Sequence, residues 1–196
     1  MTEAGLDRIQ VSSSDREPVP DEALLLAWRA GDEAAFRVLF DRYRTRVTGY
    51  AWQLVRRQEV AEEICLEAFC RVLEGAWRPG GSFRSFLYTV VHRLCLDALR
   101  RRGRRDRALL KLRAGPREGA GPEHLTQLSQ DQARLQAALA RLPAPHRAVL
   151  SLYYSQELSS QEVAQVLGLQ DHQVRSRLSY ARKLLRQHLS EPQEIP

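Results

Sequence analysis

One stretch near the C-terminus, residues 161–189, restricts the fold most strongly. It has the pattern of two short helices joined by a tight turn around Gly168. Ser159 and Glu162 have the spacing of a capping box, which marks a helix start, and glycine is a common residue at a helix end. The second helix is amphipathic and strongly basic. This combination predicts a helix-turn-helix, whose second helix enters the major groove of DNA.

Four apolar residues of that second helix lie within about 60° of one another around its axis, so they are expected to face a core: Val174, Leu178, Ala181 and Leu185. Residues on the other faces are candidates for contact with duplex DNA: His172, Gln173, Arg175, Ser176, Arg177, Ser179, Tyr180 and Lys183. Gln173 is suited to pair with adenine and Arg175 with guanine, whereas Arg177 is better placed for phosphate.

The N-terminal half of the chain predicts a compact helical unit over residues 21–102. A short helix starts near Asp21 and ends at Gly31, and Asp32 caps a longer second helix. A third helix is expected from about Gln58 to Ala76. The prolines and glycines of residues 77–82 then break the pattern, and a fourth helix follows from about Ser82 to Arg102. Four helices with short connections pack as one all-α unit.

The third helix of this unit has two contrasting faces. Apolar residues share one face: Ala61, Ile64, Cys65, Ala68 and Val72. The opposite face is acidic around one leucine: Glu59, Glu63, Leu66, Glu67, Cys70 and Glu74. On periodicity alone this second face is either a solvated outer surface or a docking surface for a basic partner.

The fourth helix carries aromatic and cationic groups away from its apolar stripe, and these are candidates for contact with single-stranded nucleic acid: Tyr88, Thr89, His92, Arg93 and Arg100. The loop before it adds Trp77, Arg78 and Ser82. Trp77 could hold an unstacked base or simply pack the unit, and the sequence leaves both open. Phe83 falls in the apolar stripe and is expected in the core.

The remaining segments complete a two-domain organisation. Residues 1–20 are polar and are expected to form a disordered tail. Residues 103–128 are rich in Gly and Pro and predict a flexible linker with a short basic start. Helical patterns resume over residues 129–190, and residues 191–196 form a short tail. The fold class is therefore all-α, with two small helical domains, of which the second is a helix-turn-helix.

Composition narrows the possible functions. The net charge of +6 comes almost entirely from arginine, because Lys111 and Lys183 are the only lysines. Arginine suits phosphate and base-edge contacts, although a bias toward GC-rich codons gives the same excess. Three cysteines without a CxxC motif or a histidine cluster predict no metal site, no cofactor and no disulfide framework.

An enzyme or a membrane protein is not expected. Glu63 and Glu67 lie one helical turn apart and could share an ion, but no histidine or aspartate joins them. No phosphoacceptor or ligand pocket of a response regulator is recognisable. No positively charged region followed by an apolar run, as in a signal peptide, is recognisable near the N-terminus. No apolar stretch approaches the ~20 residues of a membrane span. We therefore expect a cytoplasmic protein without membrane insertion.

The motifs of both units, in this order, resemble the extracytoplasmic-function subgroup of the sigma-70 family of bacterial transcription initiation factors. The first unit carries AEEICLEAFCRV (61–72) and FRSFLYTVVHRLCLDALRRRGRR (83–105). The second carries LPAPHRAVLSLYY (142–154), LSSQEVAQVLG (158–168) and VRSRLSYARKLLR (174–186). The resemblance extends over roughly residues 21–190, which is all of the chain except the tails. Leu66 stands where that family usually has glutamine.

The resemblance implies a role for each surface. Glu59, Glu63, Leu66 and Glu67 would contact the β′ clamp helices of core RNA polymerase, and the second domain the β flap. The fourth helix and its loop would melt and recognise the −10 promoter element, and the helix-turn-helix would recognise the duplex −35 element. The resemblance further implies an anti-sigma partner. The alternative is a stand-alone helix-turn-helix regulator that is not a polymerase subunit.

Overall fold

The computed structural model describes residues 19–74, 77, 81–112 and 130–190, and within these ranges the chain forms helices and no β-strand. This confirms the all-α prediction. Residues 1–18 of the expected N-terminal tail, the tail at 191–196, residues 75, 76 and 78–80 before the fourth helix, and residues 113–129, which include most of the expected linker, lie outside the described residues.

The first unit contains α1 (Asp21–Arg29), α2 (Glu33–Val55), α3 (Gln58–Leu73) and α4 (Phe83–Leu112). Asp32 caps α2 as predicted, because its carboxylate accepts from the amides of Ala34 at 3.0 Å and Ala35 at 3.3 Å. Asp21 does not cap α1. Pro20 occupies that position, and the Asp21 carboxylate instead binds Arg42 and the hydroxyl of Tyr43.

The core of this unit follows the predicted apolar stripes. All five residues of the apolar face of α3 are buried, and Phe83 is fully buried in α4. Phe36, Phe40 and Phe69 form an aromatic cluster between α2 and α3, with Phe40 and Phe69 edge-to-face at a centroid distance of 4.8 Å. Such pairs stabilise a core beyond the area they bury.

The fourth helix is longer than the sequence predicted. The expected end near Arg102 is wrong, because α4 continues to Leu112. The sequence predicts that the linker starts at Gly103, but one glycine costs a helix only about 1 kcal/mol relative to alanine. Local contacts support the extension: Arg102 pairs with Asp106 at 3.7 Å, and Arg107 Nε donates to the Gly103 carbonyl at 2.9 Å.

The second unit contains α5 (Gln130–Arg141), α6 (Ala144–Leu150), a π-helical turn (Ser151–Ser155), α7 (Ser160–Leu167) and α8 (Asp171–Ser190). The predicted capping box is present: Ser159 Oγ accepts from the Glu162 amide, and the Glu162 carboxylate accepts from the Ser159 amide. Gly168 ends α7 in the left-handed conformation with φ of 64°, which glycine adopts without steric cost.

Arg147 is buried, and its guanidinium replaces a helix cap for α5. Its Nη1 donates to the carbonyls of Ala140 at 3.0 Å and Leu142 at 3.1 Å, and its Nη2 lies 3.5 Å from the Leu54 carbonyl of α2. The last carbonyls of a helix have no partner within the helix, so the arginine supplies them with donors.

The two units pack against each other. Helix α4 contacts α7 and α2 contacts α6, and the buried apolar side chains of both units form one continuous cluster. The domain boundaries expected from the sequence remain a prediction, but the described parts of the two units are in direct contact.

Candidate nucleic-acid and protein interfaces

The helix-turn-helix presents the predicted duplex-DNA residues to solvent. Val174, Leu178 and Ala181 of α8 are buried as predicted, and Leu185 is half-buried. Arg177 is half-buried, and the other seven candidates are exposed: His172, Gln173, Arg175, Ser176, Ser179, Tyr180 and Lys183. Their contact with DNA remains a prediction, but the geometry leaves them available for it.

Two of the candidate base-reading side chains are engaged at the start of α8. Gln173 Oε1 accepts from the Gln170 amide at 2.9 Å, which supplies a cap for the helix. The Arg175 guanidinium is paired with the Asp171 carboxylate one turn earlier. A hydrogen bond from Ser160 and the Arg175 pair lower the pKa of Asp171 below its usual value. Asp171 therefore stays charged near neutral pH and orients Arg175.

One neighbour of this surface was missed by sequence reasoning. The His146 ring of α6 lies 5.1 Å from the Tyr180 ring, measured between centroids. Burial and the nearby charge of Arg177 lower the pKa of His146. The His146 ring is therefore neutral near pH 7. It packs against Tyr180 as an uncharged aromatic ring and not as a cation. No local sequence signal links the two residues, because they are on different helices.

The acidic face of α3, defined here as Glu59, Glu63, Leu66 and Glu67, is exposed along its whole length. Leu66 is 58% exposed, which is a large exposure for a leucine, and its neighbours on this face are carboxylates. The exposed Cys70 follows one turn later. Glu67 pairs with Arg71 at 3.0 Å within the same helix. All four side chains are exposed, so the face is accessible to a partner.

The candidate single-strand residues on α4 and its loop divide into two groups. Ser82, Arg93 and Arg100 are exposed and Thr89 is half-buried, with its hydroxyl bonded to the Ser85 carbonyl at 2.7 Å. Arg100 pairs with Asp97 at 3.1 Å. The exposed arginines Arg104 and Arg107 continue the face of Arg93 and Arg100 along the extended helix, at the spacing of one and two turns. Arg78 lies outside the described residues.

Trp77 is buried, which favours the packing alternative for this residue in the conformation described. Only 3% of its surface is exposed, and its indole N–H donates to the Gly81 carbonyl at 3.3 Å. The Arg29 guanidinium lies over the ring at 5.6 Å and donates to the Trp77 carbonyl at 2.7 Å. Arg29 thus anchors the entry to the loop from α1.

Tyr88 is also buried, and His92 is half-buried. The Tyr88 ring meets Tyr50 edge-to-face at 5.6 Å, and its hydroxyl donates to Gln156 Oε1 of the second unit at 2.5 Å. His92 Nδ1 lies 2.8 Å from the Tyr50 hydroxyl, and burial lowers the pKa of His92 to about 4. The imidazole is therefore neutral at pH 7, and its Nδ1 shares a hydrogen bond with the Tyr50 hydroxyl. No local sequence signal predicts the Gln156 contact, which spans 68 residues.

Fold and surfaces together define an all-helical protein with a helix-turn-helix in its second unit and an exposed acidic face in its first. Within the described ranges, no cluster of three or more metal-ligating side chains is present. Nor does any helix there have the length and apolar content needed to cross a membrane.

Comparison with known proteins identifies the family. Sigma-70 region 2 matches residues 39–105, and Sigma-70, region 4 matches residues 138–187. The ECF RNA polymerase sigma factor SigE of Mycolicibacterium smegmatis is 36% identical across 82% of this chain, which spans 65% of SigE. The ECF RNA polymerase sigma factor RpoE of Cereibacter sphaeroides is 30% identical across 81% of this chain, which spans 88% of RpoE. The chain therefore belongs to the extracytoplasmic-function subgroup of the sigma-70 family.

Solved structures agree on the fold. The sigma factor RpoE in complex with the anti-sigma factor NepR from Bartonella quintana gives a TM-score of 0.67 at 19% identity, covering 81% of this chain and 98% of that one. CnrH in complex with the cytosolic domain of CnrY gives 0.66 at 20% identity, covering 86% and 96%. At these identities the likeness is one of fold alone.

Proposed function

We propose that this protein is a promoter-specificity subunit that binds core RNA polymerase and directs initiation at promoters with −10 and −35 elements. It acts by binding energy, with no covalent step of its own, in the cytoplasm where the polymerase works. The observation that carries the proposal is the joint presence, on one chain, of an exposed recognition helix and an accessible acidic face centred on exposed Leu66.

The acidic face is proposed to bind the β′ clamp helices. A leucine ringed by carboxylates suits a partner that offers an apolar pocket with a basic rim, because the apolar contact supplies affinity and the charges supply orientation. The second unit is proposed to contact the β flap. An anti-sigma protein is a further proposed partner, supported by the complexes in which the two related folds were solved.

Substitution at Leu66 tests the polymerase contact. Burying a leucine contributes about 1.5–3 kcal/mol, and an aspartate in its place adds a charge that must be desolvated. Leu66→Asp should therefore weaken binding to Mycolicibacterium smegmatis core polymerase at least tenfold, measured by co-elution and titration. Val38→Asp is the matched control, because Val38 is 48% exposed on α2, outside the acidic face. Equal binding by both variants would place the interface elsewhere.

The promoter contacts are proposed to divide between the two units. The α8 candidates would read duplex −35 DNA, with Gln173 and Arg175 at base edges. The exposed α4 candidates Arg93 and Arg100 would hold the melted −10 strand, and Arg104 and Arg107 would extend the same basic face along the phosphate backbone. The linker lets modest affinities combine, because the second contact is made at high effective concentration.

Substitution at Arg175 tests base recognition. Arg175→Ala should cost about 1–3 kcal/mol at the bound promoter and relax specificity at one base position. Arg186→Ala is the comparison, because Arg186 is exposed further along α8, where a phosphate contact is expected, and loss of a phosphate contact weakens binding to all sequences alike. Binding of both variants is measured by fluorescence anisotropy with the polymerase complex on cognate and single-base-substituted duplexes. A uniform loss for Arg175→Ala would show that it contacts phosphate alone.

The second candidate is a stand-alone helix-turn-helix regulator, which the exposed α8 surface also fits. Such a protein binds duplex DNA specifically without polymerase. Specific binding by the isolated protein, together with separate elution from core polymerase at low salt, would favour this alternative.

A further inference from the structure

Helix α1 contacts both ends of the loop that precedes α4. At the first end, Arg29 Nη2 donates to the Trp77 carbonyl at 2.7 Å, and Arg29 Cζ lies 5.6 Å from the centre of the indole ring. At the second end, the Glu22 carboxylate accepts from the Phe83 amide at 2.9 Å. The partners are 48 and 61 positions apart in the chain, so no local pattern predicts these contacts.

The spacing of the two side chains within α1 suits this arrangement. Glu22 lies in the first turn of the helix and Arg29 in its last turn. Residues at positions i and i+7 share one face of a helix and are about 10 Å apart along its axis. Because a helix has a fixed rise, α1 determines the separation between the two loop ends that it holds.

Helix α1 is itself fixed to the rest of the first unit. Leu25 is fully buried, and the Asp21 carboxylate binds Arg42 and the Tyr43 hydroxyl of α2. The Tyr43 ring in turn meets the Phe83 ring edge-to-face at a centroid distance of 5.8 Å. The loop ends are therefore held against a helix pair that is already packed.

The start of α4 has a local cap without Glu22. Ser82 Oγ accepts from the Ser85 amide at 3.3 Å, which is the usual way for a serine to begin a helix. The Glu22 carboxylate adds a second acceptor from a different helix, at the positive end of the α4 dipole. A local cap favours helix formation, whereas a charge-assisted bond from α1 also fixes where α4 begins relative to α1.

We propose that Glu22 and Arg29 are positioning residues for −10 recognition. They hold the loop ends, Trp77 and Phe83, in the arrangement that the unpaired strand requires, without touching DNA themselves. They act through exposed Ser82, which precedes Phe83, and through the direction in which α4 leaves the loop. This inference rests on the proposed function, because it explains how the −10 surface is ordered before DNA binds, and such preorganisation raises affinity.

Hydrogen exchange followed by NMR on the intact protein tests whether α1 holds the loop ends. The indole N–H of Trp77, which donates to a backbone carbonyl at 3.3 Å, reports the first end, and the amide of Phe83 reports the second. Exchange should become about tenfold faster at Trp77 in Arg29→Met and about tenfold faster at Phe83 in Glu22→Ala. The Leu87 amide, inside α4, should keep its exchange rate and reports global unfolding.

Promoter binding tests the positioning role. Holoenzyme is assembled from Mycolicibacterium smegmatis core polymerase and each variant, and two probes are made from the strongest promoter that the wild-type holoenzyme transcribes. One probe is a fork junction with an unpaired −10 segment, and the other is a −35 duplex that ends upstream of it. Glu22→Ala and Arg29→Met should weaken binding to the fork about tenfold and change binding to the −35 duplex less than about twofold.

Conservative and control variants separate positioning from a general loss of stability. Glu22→Gln should restore most of the fork affinity, because its amide oxygen can still accept from the Phe83 amide. Glu33→Ala and Arg37→Met, both exposed on α2, are the matched controls and should leave both affinities unchanged. All binding is measured at a temperature at which circular dichroism shows every variant to be folded.

Three results would overturn the proposal. Wild-type exchange rates at Trp77 and Phe83 in both loss variants would show that α1 does not hold the loop ends. Faster exchange with unchanged fork binding would leave Glu22 and Arg29 with a role in the fold alone, and equal losses on both probes would indicate a general defect. Failure of the wild type to assemble with core polymerase would instead contradict the proposed function, and the exchange rates would still decide whether α1 holds the loop ends.

Discussion

The half-buried imidazole of His92 makes the stability of this protein depend on pH in a defined way. Burial lowers the pKa of His92 to about 4, while an unfolded chain leaves it near 6.5. Below pH 6.5 the unfolded chain therefore binds a proton that the folded chain does not bind until about pH 4. The folded state loses stability progressively across this window, and no such loss occurs above pH 7.

The size of the effect follows from the two pKa values. Their difference corresponds to about 3 kcal/mol at most, because each tenfold change in proton affinity is about 1.4 kcal/mol. His92→Phe removes the titrating group. At pH 7.5 the variant should be about 1 kcal/mol less stable, because the Tyr50 hydroxyl loses its hydrogen-bond partner. Between pH 7.5 and 4.5 it should lose up to about 3 kcal/mol less than the wild type.

Urea unfolding followed by circular dichroism measures this difference at a series of pH values. Carboxylates with lowered pKa, such as Glu162, titrate alike in both proteins and cancel in the comparison. His172→Gln is the control, because His172 is exposed on α8. Parallel stability curves for the wild type and His92→Phe would refute the assignment of His92 as a neutral imidazole with a lowered pKa.

Two further predictions concern the second unit. Arg147→Met should destabilise the protein by about 3–5 kcal/mol, because the carbonyls of Ala140 and Leu142 lose their donor in a buried site. Arg37→Met is the control and should change stability little, because Arg37 is exposed. Urea unfolding at pH 7.5 measures both variants, and equal stabilities would show that water replaces the guanidinium. Asp171→Asn should raise the affinity for any duplex severalfold, because it removes a negative charge near phosphate. It should also reduce discrimination between promoters, because it releases Arg175. Fluorescence anisotropy at fixed salt measures both effects, and unchanged discrimination would mean that Asp171 does not orient Arg175.

Local signals in the sequence predicted local structure well. The Asp32 cap, the Ser159–Glu162 capping box and the left-handed Gly168 all follow from side-chain chemistry within four residues. The buried and exposed faces of α3 and α8 follow in the same way from helical periodicity. These features are encoded by near neighbours, so a single sequence is enough to recover them.

Features that depend on distant contacts were not predictable in this way. Periodicity showed that Tyr88 leaves the apolar stripe of its own helix, but not that Gln156 covers it from the other unit. The position of Arg147 inside the protein depends on carbonyls of α2 and α5. The extension of α4 past Gly103 was missed because glycine and arginine were interpreted by composition, while the helix persists through its own i,i+4 contacts.

Transcription in vitro tests the central proposal most directly. Mycolicibacterium smegmatis core polymerase, freed of its own sigma factors, is mixed with this protein and a library of genomic fragments, and the 5′ ends of the transcripts are sequenced. The proposal predicts discrete start sites that share −10 and −35 motifs, and loss of these transcripts with Leu66→Asp but not with Val38→Asp. Transcripts no more numerous or more specific than those of core polymerase alone would contradict it.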